Sequence, residues 1–158
     1  MINYKIGLDI GSTTVKLAVL NNEDSIIYSK YQRHFSDIRS TIIDLIKECY
    51  DALGDINCKI NITGSGGMSV SKWLGIGFVQ EVIACSKTVE TIIPQTDVVI
   101  ELGGEDAKIT YFKGGLEQRM NGSCAGGTGA FIDQMAMLLN TDAAGLNDSA
   151  KEYKVLYL

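Results

Sequence analysis

Apolar residues recur along this chain with two different periods. Residues 4–10 and 15–20 are short apolar-rich runs, which predicts two strands joined by the turn Gly11-Ser12-Thr13-Thr14. Residues 25–32 continue the meander. The spacing then changes. Ile38, Ile42, Leu45, Ile46 and Cys49 fall three or four apart, the period of one helix face. Asp37 is placed to cap that helix, and Gly54 follows its end at about Leu53. Residues 57–62 predict a fourth strand running into Thr63-Gly64-Ser65-Gly66-Gly67. Residues 80–93 predict a helix stopped by Pro94. Strands follow at 97–101, 106–112 and 116–120. Residues 127–140 predict a helix with Phe131, Met135, Leu138 and Leu139 as its apolar positions, and Thr141 to Tyr153 a last one.

Three strands, a helix, a strand and a helix are the order of a ribonuclease-H-like lobe. Near residue 97 that order restarts, so the expected organisation is one lobe over 1–94 and the incomplete start of a second over 95–158. The length of 158 residues supports a real core, and 46% apolar with 21% charged residues is ordinary globular material. The net charge of −5, with no local basic patch, argues against a nucleic-acid surface. No apolar run reaches membrane-spanning length, and Asp9 interrupts the first apolar stretch where a signal peptide would need it unbroken. The expected compartment is therefore the cytoplasm. Cys49, Cys58, Cys85 and Cys124 form no CxxC pair, which points to free thiols or isolated metal ligands.

The chemistry lies in a repeat. Asp9-Ile10-Gly11-Ser12-Thr13-Thr14-Val15-Lys16-Leu17 aligns without a gap on Glu101-Leu102-Gly103-Gly104-Glu105-Asp106-Ala107-Lys108-Ile109. Both read acid, apolar, Gly, three small or polar residues, apolar, Lys, apolar. An acid at a strand end can hold Mg²⁺ through water, because Mg²⁺ keeps much of its hydration. Gly11 lets backbone approach a phosphate closely, and the turn amides with the hydroxyls of Ser12, Thr13 and Thr14 can donate to phosphate oxygens. A plain hairpin turn uses the same residue types, so the first copy alone decides nothing. The second copy crowds Glu101, Glu105 and Asp106 around two glycines, which costs repulsion without a cation. Repetition favours function. The GxxxxGK[ST] order is absent, so this is no P-loop.

A third segment, Asn121-Gly-Ser-Cys-Ala-Gly-Gly-Thr-Gly-Ala130, lies between a strand and a helix. Its amides would converge at a helix start, which favours an anion and would stabilise a thiolate at Cys124. Cys49 sits on the apolar helix face and reads as core, while Cys58 and Cys85 are ambiguous. Thr63 to Gly67 reads equally well as a cleft wall or a plain loop. His34, the single histidine, reads as surface, and Trp73 as packing.

These three segments together resemble the motifs of the 2-hydroxyacyl-CoA dehydratase activators and benzoyl-CoA reductase ATPase subunits, members of the actin-like ATPase superfamily. Glu101 and Gly126-Gly127 look most like the large multidomain activator-like proteins of anaerobes. The resemblance implies an α/β, ribonuclease-H-like actin-type fold and an ATPase that passes low-potential electrons to a dehydratase or reductase partner. Asp9, with Glu101 or Asp106, would organise Mg²⁺ and water. Gly11 to Thr14, Lys16, Gly103, Gly104, Lys108, Gly126, Gly127 and Thr128 would hold ATP. A homodimer would share one [4Fe–4S] cluster, with Cys124 matching the first ligand. The family's second cysteine lies beyond the third motif, and none follows Cys124 here, so the chain is expected to be an N-terminal fragment. Two other readings are a sugar-kinase-type phosphotransferase, which should show an acceptor pocket and catalytic Asp, and a nucleotide-binding module without turnover.

Overall fold

A computed structural model describes residues 4–121 and 128–155. The chain divides into two compact units, residues 1–96 and 97–158.

In the first unit β1 (Tyr4–Ile10), β2 (Thr14–Leu20) and β3 (Ile26–Arg33) form an antiparallel meander. Helix α1 (Ile38–Leu53) crosses over to β4 (Cys58–Thr63), which pairs parallel to β1, because parallel neighbours need a crossover of this length. Helix α2 (Gly67–Leu74), the short β5 (Gly77–Phe78) and helix α3 (Glu81–Ile92) complete the unit. The sheet order is β3-β2-β1-β4-β5, the ribonuclease-H-like arrangement.

Residues alternate across this sheet. Leu8 and Ile10 on β1, Val15, Leu17 and Val19 on β2, and Ile62 on β4 face the core. They pack with Ile42, Leu45 and Cys49 of α1. The helix starts as its sequence predicts: the Asp37 carboxylate accepts from the Ser40 N–H, and Gly54 at φ 73° closes the far end. Ile46 departs from the expectation. It flanks the buried stripe and is 47% exposed, while Ile38, Ile42, Leu45 and Cys49 carry the packing.

Cys49 is core, as its place on the helix face implies. Burial, and then the neighbouring Cys58, push its thiol above the ordinary cysteine range. Less thiolate at neutral pH means slower alkylation, so Cys49 is expected to react with iodoacetamide after Cys58 and Cys85. Peptide mapping over a labelling time course measures the order, and early loss of the Cys49 thiol would contradict the packing.

Helix α2 and β5 are additions to the sequence reading. Trp73 on α2 does not pack inward. It is 65% exposed, with the Arg39 guanidinium 5.3 Å from its ring centroid.

In the second unit β6 (Val98–Leu102), β7 (Ala107–Tyr111) and β8 (Glu117–Met120) form an antiparallel sheet. Helices α4 (Gly129–Leu138) and α5 (Ala143–Lys151) follow. Met137, Leu138 and Leu139 remain exposed. Among the described residues no helix is long and apolar enough to cross a membrane.

Candidate functional site

The face of the first sheet opposite the core is polar, and the same period-two alternation puts it there. Asp9 on β1, Lys16 on β2, Tyr31 on β3 and Thr63 on β4 line one open depression of about 560 Å³. Asp9 pairs in register with Lys16 on one side and Thr63 on the other. Lys16 Nζ donates to Asp9 Oδ2 at 2.7 Å and lies 5.9 Å from the Tyr31 ring centroid.

Two oxygens here are buried and unpartnered: Asp9 Oδ1 and Thr63 Oγ1. Buried polar atoms are nearly always paired, and orphans commonly mark a water or ion site. A carboxylate and a hydroxyl on adjacent strand ends suit a hydrated Mg²⁺, which takes one or two protein carboxylates and keeps its waters.

Gly64 follows directly. Its φ of +92° leads the chain back under β1, where Gly66 N–H donates to the Ile10 carbonyl at 2.8 Å. A Cβ on Gly64 would overlap Asp9 Oδ1. The glycine therefore shapes the acid's pocket.

The turn Gly11–Thr14 closes on itself, Gly11 N–H donating to the Thr14 carbonyl at 2.9 Å. Ser12 is exposed and Thr13 half-buried, whereas Thr14 is only 5% exposed where β2 begins. Beneath the turn sits His34. It is 7% exposed, which corrects the surface reading: its partners are backbone atoms, and sequence spacing cannot reveal them.

The second hairpin repeats this geometry. Glu101 pairs in register with Lys108 as Asp9 does with Lys16, and Gly103 N–H donates to the Asp106 carbonyl at 2.8 Å. Lys108 Nζ lies 3.2 Å from Asp106 Oδ2, so the turn supplies a cation for part of its own acidity. A Cβ on Gly103 would stand within contact of Asp106 Oδ1, so this glycine too admits an acid. Glu105 is exposed.

Helix α4 docks on that turn. Thr128 is fully buried at its N-cap position. Gly129 N–H donates to the Gly103 carbonyl at 2.8 Å and Ala130 N–H to the Gly104 carbonyl at 2.9 Å. Those two amides are thus occupied and do not serve the anion site expected at this helix start. Cys124, Gly126 and Gly127 lie outside the described residues.

Among the described residues no cluster of three or more His, Cys, Asp or Glu side chains is placed to hold a metal ion directly. Mg²⁺ held through water would need no such cluster. A four-iron cluster does, since it normally takes four thiolates. Cys49 is core, and Cys58 lies with it beside the apolar end of α1. Among the described residues the thiols do not complete such a site.

The sheet order and the repeated hairpin define an actin-type ATPase fold, with one ribonuclease-H-like lobe and the opening strands of a second. The chain belongs to the BadF/BadG/BcrA/BcrD ATPase family, which it matches over residues 6–153. It is 33% identical over 150 residues to the 2-hydroxyisocaproyl-CoA dehydratase activator of Clostridioides difficile, covering 90% of this chain and 55% of that protein. It is 28% identical over 150 residues to the (R)-2-hydroxyglutaryl-CoA dehydratase activating ATPase of Acidaminococcus fermentans, covering 90% and 56%. Among solved structures, the Clostridium difficile activator with bound ADPNP superposes at a TM-score of 0.86 with 31% identity, covering 98% of this chain and 59% of that one. Component A of the Acidaminococcus fermentans enzyme gives 0.85 at 24% identity, covering 98% and 61%, a likeness of fold. The chain spans little more than half the length of these relatives.

Proposed function

We propose that the whole protein binds Mg–ATP on the Asp9 hairpin and couples its hydrolysis to low-potential electron delivery to a 2-hydroxyacyl-CoA dehydratase or related reductase. The observation that carries the nucleotide half is the pair of orphaned oxygens, Asp9 Oδ1 and Thr63 Oγ1, beside a glycine-framed turn. Asp9 would hold Mg²⁺ through water, with Thr63 as a second oxygen donor. The ion, when bound, neutralises charge on the phosphates and on the transition state. Gly11 to Thr14 would place amides and hydroxyls around the phosphates, and Lys16 would add a mobile cation from its 47% exposed position. Glu101, Asp106, Gly103, Gly104 and Lys108 would play the matching part on the second hairpin, with Gly126, Gly127 and Thr128 from the third motif. Phosphoryl transfer asks for positioning and electrostatics rather than a covalent intermediate, and these residues offer both.

The electron-transfer half rests on the family and on the dehydratase activators among the proteins this chain is similar to. Cys124 is the residue of this chain that would serve a shared cluster. Two-fold symmetry duplicates each ligand, so a homodimer is the assembly that suits it. These 158 residues alone are expected to hold no cluster.

Calorimetry of Mg–ATP on the whole protein tests the first half; no metal-dependent binding would sink it. Anaerobic reconstitution, read by iron and sulfide content and visible absorption, tests the second. A whole protein that takes up no iron, yet turns over ATP faster with a small hydroxylated acceptor, would move the reading to a kinase.

A further inference from the structure

His34 makes four hydrogen bonds, and all of them go to backbone. Its own N–H donates to the Thr13 carbonyl at 3.1 Å, and its carbonyl accepts from the Asp37 N–H at 2.6 Å. Ring Nδ1 accepts from the Ser36 N–H at 3.1 Å. A backbone N–H can only donate, so Nδ1 carries no proton in the neutral ring, and Nε2 does. Nε2–H therefore donates to the Gly11 carbonyl, 3.2 Å away.

This arrangement is built rather than incidental. Phe35 and Ser36 stand in succession at φ 44° and 69°, a left-handed conformation that such residues rarely adopt. That double bend brings the Ser36 N–H back onto the ring. Asp37, which His34 also engages, is the residue that caps α1. The histidine thus ties the start of the helix to the underside of the turn.

The consequence follows from covalent geometry. In a trans peptide the carbonyl of one residue and the N–H of the next point in opposite directions. Fixing the Gly11 carbonyl on His34 turns the Ser12 N–H to the opposite side of the peptide. We propose that His34 is a positioning residue for nucleotide binding: by holding the Gly11 carbonyl on its ring it aims the Ser12 amide at the phosphates and keeps the turn set before ligand arrives. This rests on the nucleotide reading of the Gly11–Thr14 turn given above.

Isosteres separate the two ring nitrogens. The amide of glutamine reaches the place of Nε2, and the amide oxygen of asparagine that of Nδ1. In the whole protein His34→Gln is expected to keep Mg–ATP affinity within about threefold, whereas His34→Asn and His34→Ala lose about tenfold, the scale of one net hydrogen bond. The loss should fall on Kd and KM more than on kcat, with the melting temperatures of the Gln and Asn variants alike. Wild-type protein that binds no Mg–ATP would overturn the nucleotide reading instead and leave the tie itself to the spectrum below. Given wild-type binding, Gln and Asn variants of equal affinity would overturn the proposal. If the Asn or Ala variant fails to fold, ¹⁵N spectra of the histidine-labelled wild type decide, with the signal assigned by its loss in His34→Gln. The expected state is protonated Nε2 with a shift on adding ADPNP; a proton on Nδ1, or a ring blind to the nucleotide, overturns it.

Discussion

Replacing Asp9 with asparagine is expected to cut Mg²⁺-dependent ATP turnover by about 100- to 1000-fold, the scale of removing one preorganised charged or donor group from a transition state. Stability should move the other way or stay level. In the free protein Asp9 Oδ1 is buried without a partner, which is a cost the folded state carries. Asparagine keeps the shape and removes the charge. It weakens the contact with Lys16, but that lysine is 47% exposed and such pairs are worth little in water, about 0–1 kcal/mol. A residue that costs stability and supports turnover is a functional one. Phosphate release assays over a Mg²⁺ titration, beside melting curves, measure both effects. Unchanged turnover, or a large fall in melting temperature, would reassign Asp9 to structure.

The sequence makes the two hairpins visible because a repeat carries its own control. Asp9 opposite Lys16 and Glu101 opposite Lys108 are the same register seen twice, and aligning the letters already places each acid against its lysine. Helix α1 is legible for a different reason: a long amphipathic stretch with Asp37 before it and Gly54 after it leaves one solution. Helix α2 is not. Its eight residues, GMSVSKWL, sit between glycines and bury only Gly67 and Ser71, so no apolar period announces it. His34 escapes for the same underlying cause. A side chain that bonds to the carbonyl of Gly11 and the N–H of Ser36 leaves no complementary side chain to find in the sequence. Backbone partners come into view only with the turn already built. The same holds for Gly64. Its letter marks a flexible loop, while its neighbour Asp9 Oδ1 makes it a wall of the acid's pocket.

Gly64 therefore supports the sharpest structural test. Gly54, Gly64 and Gly75 all have positive φ, at 73°, 92° and 65°. A methyl group at Gly54 or Gly75 would meet nothing within 4 Å, so alanine there costs backbone strain alone: about 1–2 kcal/mol at Gly75, a left-handed residue with ψ 26°, and about 1–3 kcal/mol at Gly54, whose ψ of −161° is a glycine conformation. At Gly64 the same methyl would overlap Asp9 Oδ1 and the Ile10 carbonyl oxygen. Neither can yield cheaply, since Asp9 lies on β1 between β2 and β4, and the Ile10 carbonyl already accepts from Gly66. Overpacking of this kind adds about 1–3 kcal/mol, so Gly64→Ala is expected to cost about 2–5 kcal/mol in all. Denaturant melts of the three variants measure the difference. Nucleotide binding should separate them further. Gly54→Ala and Gly75→Ala keep Mg–ATP affinity, because neither touches the acid. Gly64→Ala is expected to lose it under conditions where the variant is still folded, because its methyl must displace the carboxylate proposed to hold the metal. Equal stability loss at Gly75 and Gly64 would mean that the close approach to Asp9 is absent in solution. A folded Gly64→Ala protein with wild-type affinity would separate the acid from the nucleotide, and the site would have to be sought elsewhere on the sheet.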